Sequence, residues 1–239
     1  MALAMAALAA IRFVDRIPAR RLAALLGITV TVSDSAPATP SPVPSVQPLS
    51  SQVSALSLGT AAIQTFSGSM LVRAGSGTIV SSDGLIVTLS SAAPYGSGSY
   101  LYQVAISDGR LLRAQSVRRG GSGLTLLRVA ATDLDTVPFD PHAPILAGSQ
   151  VMLVGAFRSL SGYTPVIVPA VIPYAADIRD IPLSLDRTFA GRLLSARVVD
   201  DSGRSLGLVQ VSGAYPKMIS AATINTFVDD YLRSVGATH

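Results

Sequence analysis

The 239-residue chain has no cysteine, a single lysine (Lys217) and only two histidines, His142 and His239. Without cysteine there is no disulfide, no thiolate zinc site and no thiol nucleophile. The compartment stays open on this ground. A mechanism that needs an imidazole base has almost nothing to choose from. Charge is also sparse: charged residues make up 13% of the chain, and the net charge of +4 reflects few acids more than many bases. The densest basic cluster, Arg110, Arg113, Arg118 and Arg119, has no interleaved aromatics. It reads as a solvated face rather than a nucleic-acid site.

What is abundant is apolar and turn-forming. Apolar residues make up 49%, ample for a core, and 20 glycines and 15 prolines favour short strands and turns over long helices. The N-terminus carries two apolar runs, Met1–Ile11 and Leu22–Val32, separated by Arg12, Arg16, Arg20 and Arg21. Neither run reaches the roughly 18–20 residues that span a bilayer. Three readings compete: a signal with Arg20-Arg21 as its basic start and cleavage near Ala36 or Ala38, the end of a membrane helix, or two short helices lying on a surface. The expectation is an export or anchor segment over residues 1–32, then a Pro/Ser-rich linker over 33–64 holding Pro37, Pro40, Pro42, Pro44 and Pro48.

From residue 65 to 239 the pattern is β, then helical. Asp83-Gly84 and Asp108-Gly109 each sit between apolar runs, a hairpin signal. The first β set covers about 66–133 and the second about 134–216. Ile219, Ile224, Phe227, Val228, Tyr231 and Leu232 recur at helical spacing and predict a helix over 217–234.

Three segments carry a resemblance. Gly75-Ser76-Gly77-Thr78-Ile79-Val80 leads through Asp83-Gly84 to Leu85–Thr88; Val104–Gly109 is followed by Gly123–Val129; and Val198–Leu208 is broken at Ser202-Gly203. In order and spacing these resemble the skeleton of trypsin-like serine proteases of the HtrA/Deg type, as do Ala147–Gly155 and Ile224-Asn225-Thr226. The resemblance implies an all-β fold of two packed six-stranded antiparallel barrels with a C-terminal α-helix. It also implies where the triad would stand. The family's Thr-Asn-His-Val reads Thr88-Leu89-Ser90-Ser91 here, so Ser90 replaces histidine. Gly123 stands where the family has its aspartate. Aligning the last hairpin without a gap puts Leu194 at the nucleophile, with Ser195 one place later; a gapped register puts Ala190-Gly191 there.

Ser90 has no basic nitrogen, Gly123 no carboxylate, and Leu194 cannot attack a carbonyl. Loss of such groups costs several powers of ten in rate. Substitutes are scarce. Lys217 reads as a surface residue at the helix start, and His142 as a solvated position between Pro141 and Pro144. Asp177, Asp180 and Asp186 read as ion-pair partners of Arg179 and Arg187 rather than a metal loop. The expectation is a degenerate, catalytically inactive domain without metal or cofactor. It would be held outside a bacterial cytoplasmic membrane and would bind a protein or extended peptide. An active endopeptidase with a relocated site, needing His142 near a serine, is the alternative. A purely structural module with a broad apolar patch is a third reading.

Overall fold

Thr60–Ser67 reads as a poor strand by propensity, Thr-Ala-Ala-Ile-Gln, yet it opens the first sheet. Its place is set by distant partners: Ala62 is buried against Ala105 and Ala156, and the strand pairs along its length with Ala61–Ser67 facing Tyr100–Ile106. The computed structural model describes residues 49–95, 100–160, 162–174, 181–184, 193–212 and 215–236. These lie in one unit, Gln47–His239. The expected anchor over 1–32 and most of the expected linker lie outside the described residues. The linker expectation overruns at its C-terminal end. Leu49–Ser57 is a helix (α1), and β1 (Thr60–Ser67) begins before residue 65. Past Pro48 the proline spacing stops, which lets Leu49–Ser57 coil.

The first sheet is a closed barrel in the order β1-β2-β3-β6-β5-β4, with β2 (Met70–Ile79), β3 (Leu85–Leu89), β4 (Tyr100–Ile106), β5 (Leu111–Arg119) and β6 (Leu124–Val129). The Asp-Gly signals hold. Gly84 has φ +101°, and a Cβ there would lie 2.2 Å from the Val129 carbonyl oxygen, so only glycine fits. β3 is buried along its whole length because both faces are covered. Ile86 points into a core with Ile63, Val104 and Leu127, while Leu85, Val87 and Leu89 join a second core with Leu208, Ile219, Ile224 and Phe227.

The second sheet runs β8-β7-β10-β11-β12-β9, with β7 (Gln150–Ser159), β8 (Gly162–Val171), β9 (Ile181–Pro182), β10 (Arg197–Val199), β11 (Ser205–Ser212) and β12 (Tyr215–Ser220). Its outer strand β8 meets the chain just past β9 at one bridge: the Val171 and Ser184 backbones donate to each other at 3.1 and 2.8 Å. The sheet thereby curls toward a second barrel. Val151, Leu153, Val198, Leu206, Val209 and Met218 form its interior.

The C-terminal helix α2 is Ala221–Gly236, so its expected start at 217 is corrected. Lys217 belongs to β12 and pairs with Gln210. Ser220 ends the strand and caps the helix, accepting from the Thr223 N–H at 3.4 Å.

Candidate functional site

Ser90 directly follows β3, at the start of a tight turn in which Ala92 and Ala93 both donate to the Leu89 carbonyl at 2.9 and 2.8 Å. Its N–H and its Oγ both donate to the carbonyl of Gly123, at 2.7 and 2.8 Å. Thr125 Oγ1 lies 3.4 Å from Ser90 Oγ. Gly123 has φ +75°, and a Cβ at this position would stand 3.3 Å from Gln210 Nε2. The sequence positions matched to the family's histidine and aspartate thus meet. What meets is a hydroxyl and a backbone carbonyl, with a second hydroxyl and an amide nearby. None of these groups takes up a proton at neutral pH.

Leu194 and Ser195 sit in a turn closed by Ala196 N–H donating to Leu193 O at 3.0 Å. The turn is fastened to the first barrel, since the Ser76 N–H donates to Leu194 O at 2.8 Å. Gly75 makes the approach possible: a Cβ there would lie 2.6 Å from Ala92 Cβ and 3.0 Å from Leu194 O. Leu194 therefore arrives beside the turn that begins with Ser90. Ser195 is fully buried, with φ 62°, a strained value for a residue with a side chain. Its N–H donates to Val209 O at 2.9 Å, and its Oγ lies 3.1 Å from Thr88 Oγ1. In serine peptidases the nucleophile's own N–H helps hold the oxyanion. At Ser195 that donor is already committed to β11.

The other candidates do not converge here. His142 is exposed in a turn in which its N–H donates to Asp140 Oδ1 at 2.9 Å, and among the described residues it bonds to no serine. Lys217 is half-buried on β12 rather than at a helix start. Asp108 and Asp200 are turn residues whose carboxylates accept from Arg110 and Arg204 N–H groups at 2.9 and 2.8 Å. Asp177, Asp180, Asp186, Arg179, Arg187 and the gapped match Ala190-Gly191 lie outside the described residues. Of the arginine cluster, Arg110 pairs with Asp108 at 2.6 Å, and Arg118 donates to Asp230 O at 3.0 Å over the Phe227 ring. An open cavity of about 430 Å³ adjoins Gly123, between the β5–β6 turn and α2, lined by Arg119, Gly121, Ser122, Thr223 and Phe227 among others.

Two arrangements were not read from the sequence. The first is a buried clasp between the halves. Ser76 Oγ donates to Ala156 O at 3.2 Å and accepts from Ala156 N–H at 2.9 Å, while Thr88 Oγ1 donates to Ser76 O at 2.7 Å. The Gly75-Ser76-Gly77 triplet was its visible trace. The second is Arg197, 3% exposed. Its Nη2 donates to the carbonyls of Leu56 and Leu58, at the C-terminus of α1, where the helix dipole favours a cation. Tyr163 donates to Ser57 O at 3.4 Å beside it. Burial lowers the Arg197 guanidinium to about 10, opposed by the neighbouring phenol, and burial raises Tyr163 to about 12. A lone arginine in the run Leu193–Val199 was the only sequence signal.

Residues 75–172 match the family described as "Trypsin-like peptidase domain". Among solved structures, the chain is similar to the serine endoprotease from Yersinia pestis, at TM-score 0.64 and 18% identity, over 79% of this chain and 68% of that one. The domain has the trypsin-like fold. No curated protein matches the chain. The expected architecture of a trypsin-like double barrel with a C-terminal helix therefore holds, closed in the first half and curled in the second.

Proposed function

We propose that this trypsin-like domain is a pseudoprotease: a binding or scaffold module without peptidase chemistry. The observation that carries the reading is the contact of Ser90 with Gly123. Both Ser90 donors are spent on one carbonyl, at 2.7 and 2.8 Å, where a peptidase needs an imidazole held by a carboxylate. The commitment of the Ser195 N–H to Val209 O supports it from the other half. The partner is a protein or an extended peptide. The N-terminal apolar runs favour a domain held outside a bacterial cytoplasmic membrane, or exported. Among the described residues no helix is long and apolar enough to cross a membrane.

Strand addition along β8 is disfavoured. Val171 points its N–H and C=O away from β7, toward Ser184, so residues 163, 165, 167 and 169 present theirs outward as well. Pro165 and Pro169 remove two of those outward donors. The cavity beside Gly123 is the better place for a peptide.

The test is to incubate the full chain with fluorescein-labelled denatured casein. The expected result is a rise in anisotropy without cleavage above the buffer rate. Turnover that disappears in Ser90→Ala or Ser195→Ala would overturn the reading in favour of a relocated catalytic site.

A further inference from the structure

Two hairpins end on the same side of the domain. Arg158, next to the β7–β8 turn, donates to the side chains of Gln64 on β1 and Gln103 on β4 at 3.1 and 3.0 Å, which sets the β7–β8 tip beside the β1–β2 hairpin. The first half of β2 lies open to solvent, while β1 beside it stays paired with β4 as far as Ser67. Met70, Leu71, Arg73 and Ala74 are exposed and Val72 is partly so, whereas Gly75–Ile79 are all buried. The tips are apolar: Met70 is 66% exposed, Leu160 wholly so, with Leu71 and Phe157 also open. Tyr95 is exposed shortly before Tyr100, which pairs with Ser67 beside the β1–β2 tip.

The charge on these hairpins has one sign. Across residues 60–79 and 150–171 the ionisable acids and bases other than Tyr163 are Arg73 and Arg158 alone, with no Asp; the whole chain has no Glu. Apolar tips flanked by arginine, with no carboxylate to repel phosphate, have the composition of an interfacial membrane contact.

We propose that the β1–β2 and β7–β8 tips dock on an anionic lipid surface, with Met70, Leu71, Phe157 and Leu160 entering the headgroup region and Arg73 and Arg158 facing lipid phosphates. This goes beyond the missing peptidase chemistry and beyond the N-terminal tether, because it assigns lipid contact to the folded domain itself.

The chain has no tryptophan, so Leu160→Trp in the full chain places one reporter at the tip. With vesicles of mixed phosphatidylglycerol and phosphatidylcholine, its emission shifts to the blue and is quenched by brominated acyl chains. A Leu232→Trp reporter on α2 stays water-like. Arg73→Gln lowers the tip's bound-to-free ratio about fivefold. If the chain binds vesicles while the 160 reporter stays in water, the tether stands and this proposal falls. A blue shift that grows with protein concentration in buffer alone would also overturn it, assigning the tips to a second copy of the chain. Absence of any vesicle binding would overturn it outright.

Discussion

The two halves of the domain close in different ways, and the two parts of the candidate site are held in different ways. The first barrel closes by continuous pairing of β1 with β4, from Ala61–Ile106 to Ser67–Tyr100. The second sheet's outer strand β8 meets the chain just past β9 only at Val171 and Ser184 among the described residues. In the first half Ser90 and Gly123 bring together a hydroxyl and a backbone carbonyl, with the Ser90 N–H and Oγ both donating to Gly123 O. In the second half the turn at Leu193–Ala196 is tied into the packing around it. Its carbonyl holds Ser76, its hydroxyl meets Thr88, and Arg197, just beyond it, holds α1. The difference teaches that the type of a side chain and the commitment of a backbone group are separate constraints on what a site can do, the first legible in sequence and the second only in the fold.

The comparison breaks most sharply at the glycines. A Cβ at Gly207 in β11 would lie 2.0 Å from the Ile219 carbonyl oxygen, whereas one at Gly77 in β2 meets side-chain methyls of Ile63 and Ile86 at 2.7 Å and the Val87 carbonyl oxygen no nearer than 3.3 Å. Gly207→Ala is expected to cost about 3 kcal/mol or more in urea unfolding, and Gly77→Ala about 1–3 kcal/mol, because methyls can shift and a ladder carbonyl cannot. Equal costs would mean that the Ile63 and Ile86 methyls yield no better than the Ile219 carbonyl.

Arg197→Met removes the donor for the Leu56 and Leu58 carbonyls and, with it, a costly buried charge. The expected outcome is loss of amide-exchange protection over Leu49–Leu58, with a global destabilisation of about 1–3 kcal/mol at most. Undiminished protection there would show that α1 holds without the turn's neighbour.

The smallest effect is alkaline. Tyr163 is raised to about 12 in the fold from an ordinary 10.0, so its contribution is complete below pH 10 and is lost as pH climbs toward 12. Arg197, lowered to about 10, acts with the opposite sign: the folded chain sheds that proton first, and the penalty of its buried charge is relieved as pH rises through 10. The stability of Tyr163→Phe relative to the natural chain should therefore rise between pH 10 and 12, measured by denaturant midpoints. A flat difference would remove Tyr163 from the α1 contact.

Much of the first half was legible in the sequence. Leu85–Leu89, Tyr100–Ile106 and Leu124–Val129 are strands with the bounds that their apolar runs and Asp-Gly turns give. Those signals are local. What escaped was set by distant packing. β1 is a strand because it pairs along its length with β2 and β4, and β12 is a strand rather than helix because β11 pairs with it through Gln210–Lys217. At the candidate site, motif order led to Ser90, Gly123 and Leu194. It gave no hint that Ser195 is buried or that its N–H reaches Val209. Backbone direction at φ 62° leaves little mark in residue type when the residue is serine.

The central claim is that no serine in this domain is activated for acyl transfer. Intact-mass analysis of the full chain after prolonged exposure to a fluorophosphonate tests it most directly, with peptide mapping of any adduct. The account predicts an unchanged mass, identical for the natural chain and for Ser195→Ala. A stoichiometric adduct on Ser195 or Ser90 would contradict it.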